Sequence, residues 1–236
     1  MASHGFAHIL YTPRLVLKLC DSTNPEHLDD NLRLLNAPET VAQIGDTGMC
    51  SHAQISRWMR AVRIHPSRMS GEIVPVAPHK EAVWLVYLKS SETSKKSQSM
   101  NEGTVNRVIG VISIGHRSKE IPPDVGWLVD AAHWSKGYAT EAAREIVRYA
   151  TEDLGIESLI AFPLETNIPS IKTSKKVGFV DGGRIADQNG RTNMVFVLPS
   201  MKWRANEGLI VNFMGDWDEV QEVCECTRCN GREIQD

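Results

Sequence analysis

The stretch from Gly126 to Thr140, Gly-Trp-Leu-Val-Asp-Ala-Ala-His-Trp-Ser-Lys-Gly-Tyr-Ala-Thr, constrains the fold of this chain more than any other. Val125 to Val129 reads as a short buried strand, and Ser135, Lys136 and Gly137 form a loop that runs straight into a helix. From Ala139 the apolar positions fall at Ala142, Ala143, Ile146, Val147 and Ala150, the spacing of one buried helix face. No strong side-chain N-cap stands just ahead of Gly137, so the first amide N–H groups lack an obvious internal partner. Unpaired N–H groups at a positive helix end, reached through a glycine, suit a phosphate or pyrophosphate. An ordinary strand-loop-helix joint, with Gly137 serving only the turn, meets the same pattern.

At 236 residues the chain suits one large domain, or one domain with an extension. Hydrophobic residues at 42% and charged residues at 23% are usual for a soluble globular protein. The formal net charge of −3 gives no electrostatic case for a nucleic-acid or membrane partner. No apolar run approaches the roughly 20 residues that span a bilayer, and the start, Met-Ala-Ser-His-Gly-Phe, does not read as a secretion signal. Five cysteines without a framework spacing lead us to expect reduced thiols and a cytoplasmic setting.

Leu15 to Leu19 alternates apolar and polar after Thr12-Pro13-Arg14 and reads as a first strand. Leu28, Leu32, Leu34 and Leu35 give a helix ending near Asn36-Ala37-Pro38. Gly45 and Gly48 then break the chain before a second helix, N-capped by Ser51 with Gln54 three residues on. Ile55, Trp58, Met59 and Val62 line one side of that helix and read as core. Residues 64–80 form a loop, 82–88 a strand, 90–106 a polar hairpin connection and 107–116 the partner strand. The helix after Gly137 stops at Leu154-Gly155, and residues 157–162 form another strand. Asn167 caps the next helix, Pro169 fits its first turn, and Gly178 closes it. Phe179-Val180 starts a hairpin that ends at Met194 to Leu198. The result is a mixed α/β domain in residues 1–200, with its elements in about 8–200, and an extension in 201–236.

Three separated pieces resemble one family. Thr12-Pro13-Arg14-Leu15-Val16-Leu17, the run from Asp124 through Ala142, and Asn167-Ile168-Pro169-Ser170 with Lys176-Val177-Gly178-Phe179 are similar to motifs of the GNAT superfamily of acyl-CoA-dependent N-acyltransferases. Within it they resemble the branch of ribosomal-protein N-terminal (Rim-type) acetyltransferases. The resemblance implies a mostly antiparallel twisted sheet flanked by helices, with a strand splayed from its neighbour after a bulge. Acetyl-CoA would lie in the V-shaped gap as cosubstrate. The backbone of Trp127, Leu128 and Val129 would bond the pantetheine arm. The amides of Trp134, Ser135, Lys136, Gly137, Tyr138, Ala139 and Thr140 would hold the pyrophosphate. Asn167 and Ser170 would lie near the thioester. Two side chains depart from the pattern: Trp134 stands where the broad family prefers Gln or Arg, and Ser135 where the closer branch often has Gly. Neither change removes a backbone donor.

Acyl transfer to an amine needs a neutral nucleophile, donors for the oxyanion and a proton for the leaving thiolate. Many members of the family protonate the thiolate with a tyrosine seven residues after the asparagine, a position held here by Ser174. Ser170 and Ser174, acting through water, stand in its place. Asp124 is the candidate base, with Glu165 and His116 in reserve, and it also fits a turn residue after Pro122-Pro123. Lys172, Lys175 and Lys176 suit either the 3′-phosphate of the cosubstrate or a solvated helix face.

Trp203, Leu209, Ile210, Val211, Phe213, Met214 and Trp217 suggest that the extension docks on the domain. Cys224, Cys226 and Cys229 are one ligand short of a zinc site, so no metal is expected. The expected partners are acetyl-CoA and an amine acceptor, either a peptide N-terminus or a small amine, with a homodimer left open. Two rival readings are a non-catalytic acyl-CoA-binding or interaction module, and a nucleotide switch that lacks the longer glycine loop with its lysine.

Overall fold

The computed structural model describes residues 6–61, 82–89, 107–116, 120–206 and 208–211. Its nine strands form one sheet: β1 Ile9–Tyr11, β2 Leu15–Leu19, β3 Val83–Leu88, β4 Val108–Gly115, β5 Asp124–Val129, β6 Ile160–Ala161, β7 Val180–Asp187, β8 Thr192–Val197 and β9 Ile210–Val211. The order across the sheet is β1-β2-β3-β4-β5-β6-β8-β7-β9, antiparallel throughout except at β5–β6 and β7–β9. The helices are α1 Pro25–Leu35, α2 Pro38–Ile44, α3 His52–Ala61, α4 Tyr138–Arg148 and α5 Ile168–Val177.

Both faces of the sheet are covered. Ala142, Ala143 and Ile146 of α4 and Ile171 of α5 pack with Leu15, Leu17, Trp84, Ile112, Ile114 and Val125. On the opposite face Leu28, Leu34 and Leu35 of α1, with Ile55, Trp58 and Met59 of α3, pack on Val83, Leu85 and Val111. A third cluster joins Ile185, Val195 and Val197 to Met201 and Val211. The first part of the 201–236 extension therefore lies on the sheet, with β9 pairing to β7.

Several local readings change. Pro38 does not only end α1: it occupies the first turn of α2, whose missing proline N–H costs nothing there. The strand expected over 157–162 shrinks to Ile160–Ala161, because β5 diverges from it after the single pair Asp124↔Ile160. Helix α4 passes after Arg148 into a π-helical turn, Tyr149–Asp153. The capping box at α3 is present, with Gln54 N donating to Ser51 Oγ at 3.3 Å and Ser51 N to Gln54 Oε1 at 3.0 Å. The expectation of reduced thiols fits Cys20, which is buried and outside any disulfide, and fails at Cys50, which is disulfide-bonded.

The loops expected over 64–80 and 90–106, Val62, and the cysteines 224, 226 and 229 lie outside the described residues. Among the described residues no group of three or more His, Cys, Asp or Glu is placed to hold a metal. No helix among them is long and apolar enough to cross a membrane.

Candidate functional site

A cleft of about 550 Å³ opens where β5 and β6 part. Its walls are the end of β5, the loop 133–140, the N-terminal turns of α4 and α5, and the C-terminal half of α2. The loop owes its shape to two left-handed residues. Gly137 adopts φ +82° freely, whereas Ser135 at φ +61° bears a cost on the order of 1 kcal/mol. Gly137 is the N-cap of α4 and supplies no side-chain cap. Among the described residues, the N–H groups of Ser135 and of Gly137 through Thr140 have no acceptor, Lys136 closes the turn over Trp134 and Ser135, and Glu141 N bonds back to Gly137 O at 3.0 Å. Five such donors gathered at a helix N-terminus suit an anion.

Beside this loop, β5 presents one edge to β4 and the other to the cleft. Asp130 N donates to Ile109 O at 2.8 Å, and the register runs unbroken from Val129↔Gly110 to Asp124↔Gly115. Antiparallel alternation then turns the Leu128 peptide toward β4 and the Trp127 and Val129 peptides toward the cleft. A Cβ built on Gly110 would meet Leu128 O at 2.4 Å, the same orientation seen from the other strand. Leu128 thus lines the cleft without offering it a backbone donor, which narrows the expected pantetheine contacts to Trp127 and Val129. Trp134 folds back, its indole Nε1 donating to Val129 O at 2.6 Å, while its ring stays partly exposed at the cleft rim. The bulge in this region falls in the β3–β4 ladder, between Val86 and Tyr87.

The candidates near the far end separate into two groups. Asn167 and Ser170 line the cleft. Asn167 Oδ1 caps α5 by accepting from Ser170 N at 3.1 Å, and its Nδ2 donates to Gln43 O of α2 at 3.4 Å. Ser174 does not line the cleft: it is fully buried, and its hydroxyl donates to Ser170 O one turn back at 3.1 Å. Asp124 is also outside it, 2% exposed in the sheet and projecting, by strand alternation from Val125, to the face that carries α1 and α3. His116 is buried with its Nε2 2.9 Å from Ile121 O, and Glu165 is exposed outside the cleft lining. Lys172 and Lys176 reach the rim; Lys175 does not. Lys136 turns its ammonium to Ala132 O at 2.9 Å and does not line the cleft.

Some lining residues had no signal in the sequence as site residues. Thr40, Gln43 and Ile44 belong to α2, read there as a break. His133 lines the cleft with Nδ1 buried and unpartnered among the described residues. The motif run contains it, so the signal was its adjacency to Trp134.

Residues 14–180 match the family described as an acetyltransferase (GNAT) domain. A 55-residue stretch is 36% identical to YnaD, an uncharacterized N-acetyltransferase of Bacillus subtilis (strain 168), covering 23% of this chain and 32% of that one. A 93-residue stretch is 33% identical to YjcK, a probable N-acetyltransferase of the same organism, covering 39% of this chain and 51% of that one. The matches thus span from a third to about half of these relatives' own length. An acetyltransferase of the GNAT family from Bacillus anthracis shares the fold at 15% identity and a TM-score of 0.55, covering 80% of this chain and 97% of that one. So does the structure of AAC(6')-Ib in complex with Parmomycin and AcetylCoA, at 17% identity and a TM-score of 0.51, covering 78% and 94%. With more than two thirds of its length inside the family match, this chain belongs to the GNAT acetyltransferase family.

Proposed function

We propose that the protein is an N-acetyltransferase that moves an acetyl group from acetyl-CoA to a primary amine by direct attack. The observation that carries the reading is the set of free N–H groups of Ser135 and Gly137 to Thr140, all on residues lining a cleft that continues along β5. A diphosphate on those donors sends a pantetheine arm along the Trp127 and Val129 peptide edge. The thioester then falls between the N-terminus of α5 and the carbonyl end of α2, beside Asn167 and Ser170. The amine nitrogen attacks the thioester carbon, the C–N bond forms, the C–S bond breaks, and the proton that the nitrogen gives up is balanced by the one that the leaving thiolate takes up. Ser170, which lines the cleft beside Asn167, serves as donor through water. Asp124 and Ser174, both buried away from the cleft, we assign to the framework instead of the chemistry. Acceptor and branch remain the finer part of the proposal: a peptide N-terminus or a small amine fits equally.

One observation favours a second reading, a non-catalytic acyl-CoA-binding module. The position that carries a tyrosine acid in many relatives is a serine bonded back into its own helix. Calorimetric titration of acetyl-CoA into the wild type and Gly137→Asp tests the site. An aspartate at residue 137 strains a left-handed position and adds negative charge at the helix N-terminus that would hold the diphosphate, so binding is expected in the wild type and lost in the variant, with circular dichroism unchanged. Absence of binding by folded wild type overturns both readings. Binding without turnover on a panel of peptides and small amines leaves the second.

A further inference from the structure

The anion loop 134–140 has no strand partner, and its residue Ser135 is held at an unfavourable φ. Something outside it must fix its position. Arg14, on the turn between β1 and β2, stands 49% exposed over this loop and contacts it at three levels. Its Nη1 donates to Lys136 O at 3.0 Å, its guanidinium carbon lies 4.7 Å from the centroid of the Tyr138 ring, and its Nε donates to Glu141 Oε2 at 2.6 Å. A Cβ on Gly137 would lie 3.4 Å from Arg14 Nη2, so the guanidinium also closes over the glycine. Glu141, in the first turn of α4, is the other end of the brace. It accepts from Thr12 Oγ1 at 2.6 Å and Arg14 N at 2.8 Å, so the same carboxylate ties the β1–β2 turn to the helix.

Charge alone does not account for this arrangement. Arg14 and Glu141 cancel, so the pair adds little net field for an anion, and a carboxylate near a helix N-terminus by itself repels one. What the pair supplies is geometry. A guanidinium can bond a carboxylate and a carbonyl at once along its planar fork, which a lysine ammonium cannot reproduce.

We infer that Arg14, held by Glu141 and Thr12, is a positioning residue that fixes the Ser135–Thr140 donors in their anion-binding arrangement. The inference rests on the proposed acetyl-CoA site. Three variants test it, Arg14→Ala, Arg14→Lys and Glu141→Gln, with acetyl-CoA affinity read by calorimetry and amide hydrogen exchange read on the unliganded proteins. Arg14→Ala is expected to raise the Kd for acetyl-CoA about tenfold or more, with Arg14→Lys restoring less than half of that loss on a logarithmic scale. Exchange should speed up across 135–140 while the later turns of α4, residues 142–148, keep their protection. Glu141→Gln should weaken binding in the same direction by a smaller factor. If Arg14→Ala binds within twofold of wild type, or if Arg14→Lys restores affinity fully, the positioning role is wrong. Faster exchange throughout α4 also overturns it, by making the effect one of general stability. Wild type that fails to bind acetyl-CoA refutes the cleft assignment instead, while the exchange data still decide whether Arg14 orders the loop.

Discussion

Ser174 occupies a buried site where its hydroxyl donates to the carbonyl of Ser170 a turn earlier. Such a bond inside a helix replaces nothing that the ladder lacks, so its removal costs little. Ser174→Ala should change stability by less than about 1 kcal/mol and leave acetyl-CoA affinity within about twofold. Ser174→Tyr carries the residue found here in many relatives, yet the side chain has no room at a position with no exposed surface. Overpacking of this kind costs about 1–3 kcal/mol, and denaturant unfolding of both variants checks the contrast. Turnover above that of wild type in a stable Ser174→Tyr protein would show that the hydroxyl position faces the cleft after all. The departure from the family pattern at residue 174 was legible in the sequence, because it is a matter of identity at a fixed offset. That the serine is sealed inside its helix was not, because burial there depends on how α5 seats on its neighbours.

At the scale of elements, the joint between the β1–β2 turn and α4 carries a pH dependence of definite sign. Burial alone raises the Glu141 pKa, but hydrogen bonds from the Thr12 hydroxyl, the Arg14 amide and the Arg14 guanidinium, with the Arg14 charge, outweigh it and hold the carboxyl below its ordinary value. A depressed folded-state pKa means that the carboxylate's stabilisation is fully present above the unfolded value of about 4.3 and is lost as pH falls through the lower folded value. Glu141→Gln should therefore be less stable than wild type near neutral pH, by about 1 kcal/mol with Arg14 half exposed. The gap should close below about pH 4, a trend that thermal unfolding across pH 3–7 reads directly. A constant gap over that range would mean that the carboxylate's charge does no work in the joint. None of this was visible in the chain order, since Arg14 and Glu141 stand 127 positions apart. The elements themselves were more legible. Periodicity marks β2, β3, β5 and α4, and cap residues mark both ends of α5. Helix α2 escaped because proline reads equally as a stop or as a first turn, and β6 because its length is set by where β5 leaves it.

For the whole molecule, the opening between β5 and β6 sets a problem: two parts of the sheet joined there by one parallel pair must keep a fixed separation. Helix α2 bridges them. Its last carbonyls accept from the far side, Gln43 O from Asn167 Nδ2 and Ile44 O from Arg191 Nη1 at 3.1 Å. Arg191 is fixed in turn by Asp187, a carboxylate with no exposed side-chain surface, through Nε to Oδ2 at 2.6 Å. The cation sits where the helix C-terminus is negative. Gly45, which ends α2 at φ +83°, makes room for it, since a Cβ there would lie 2.2 Å from Arg191 Nη1. Arg191→Ala strips the charged partner from a buried carboxylate that keeps the Asn189 and Arg191 amides, and should cost about 1–3 kcal/mol, below the full penalty of a sealed pair because the arginine is 39% exposed. Gly45→Ala should cost a similar amount, partly from backbone strain and partly from expelling the guanidinium. The second part is shared with Arg191→Ala, so the double variant should lose less than the sum by about 0.5–1 kcal/mol in a denaturant double-mutant cycle. Strict additivity would mean that the guanidinium does not occupy the space over Gly45, and the bridge across the cleft would then rest on Asn167 alone.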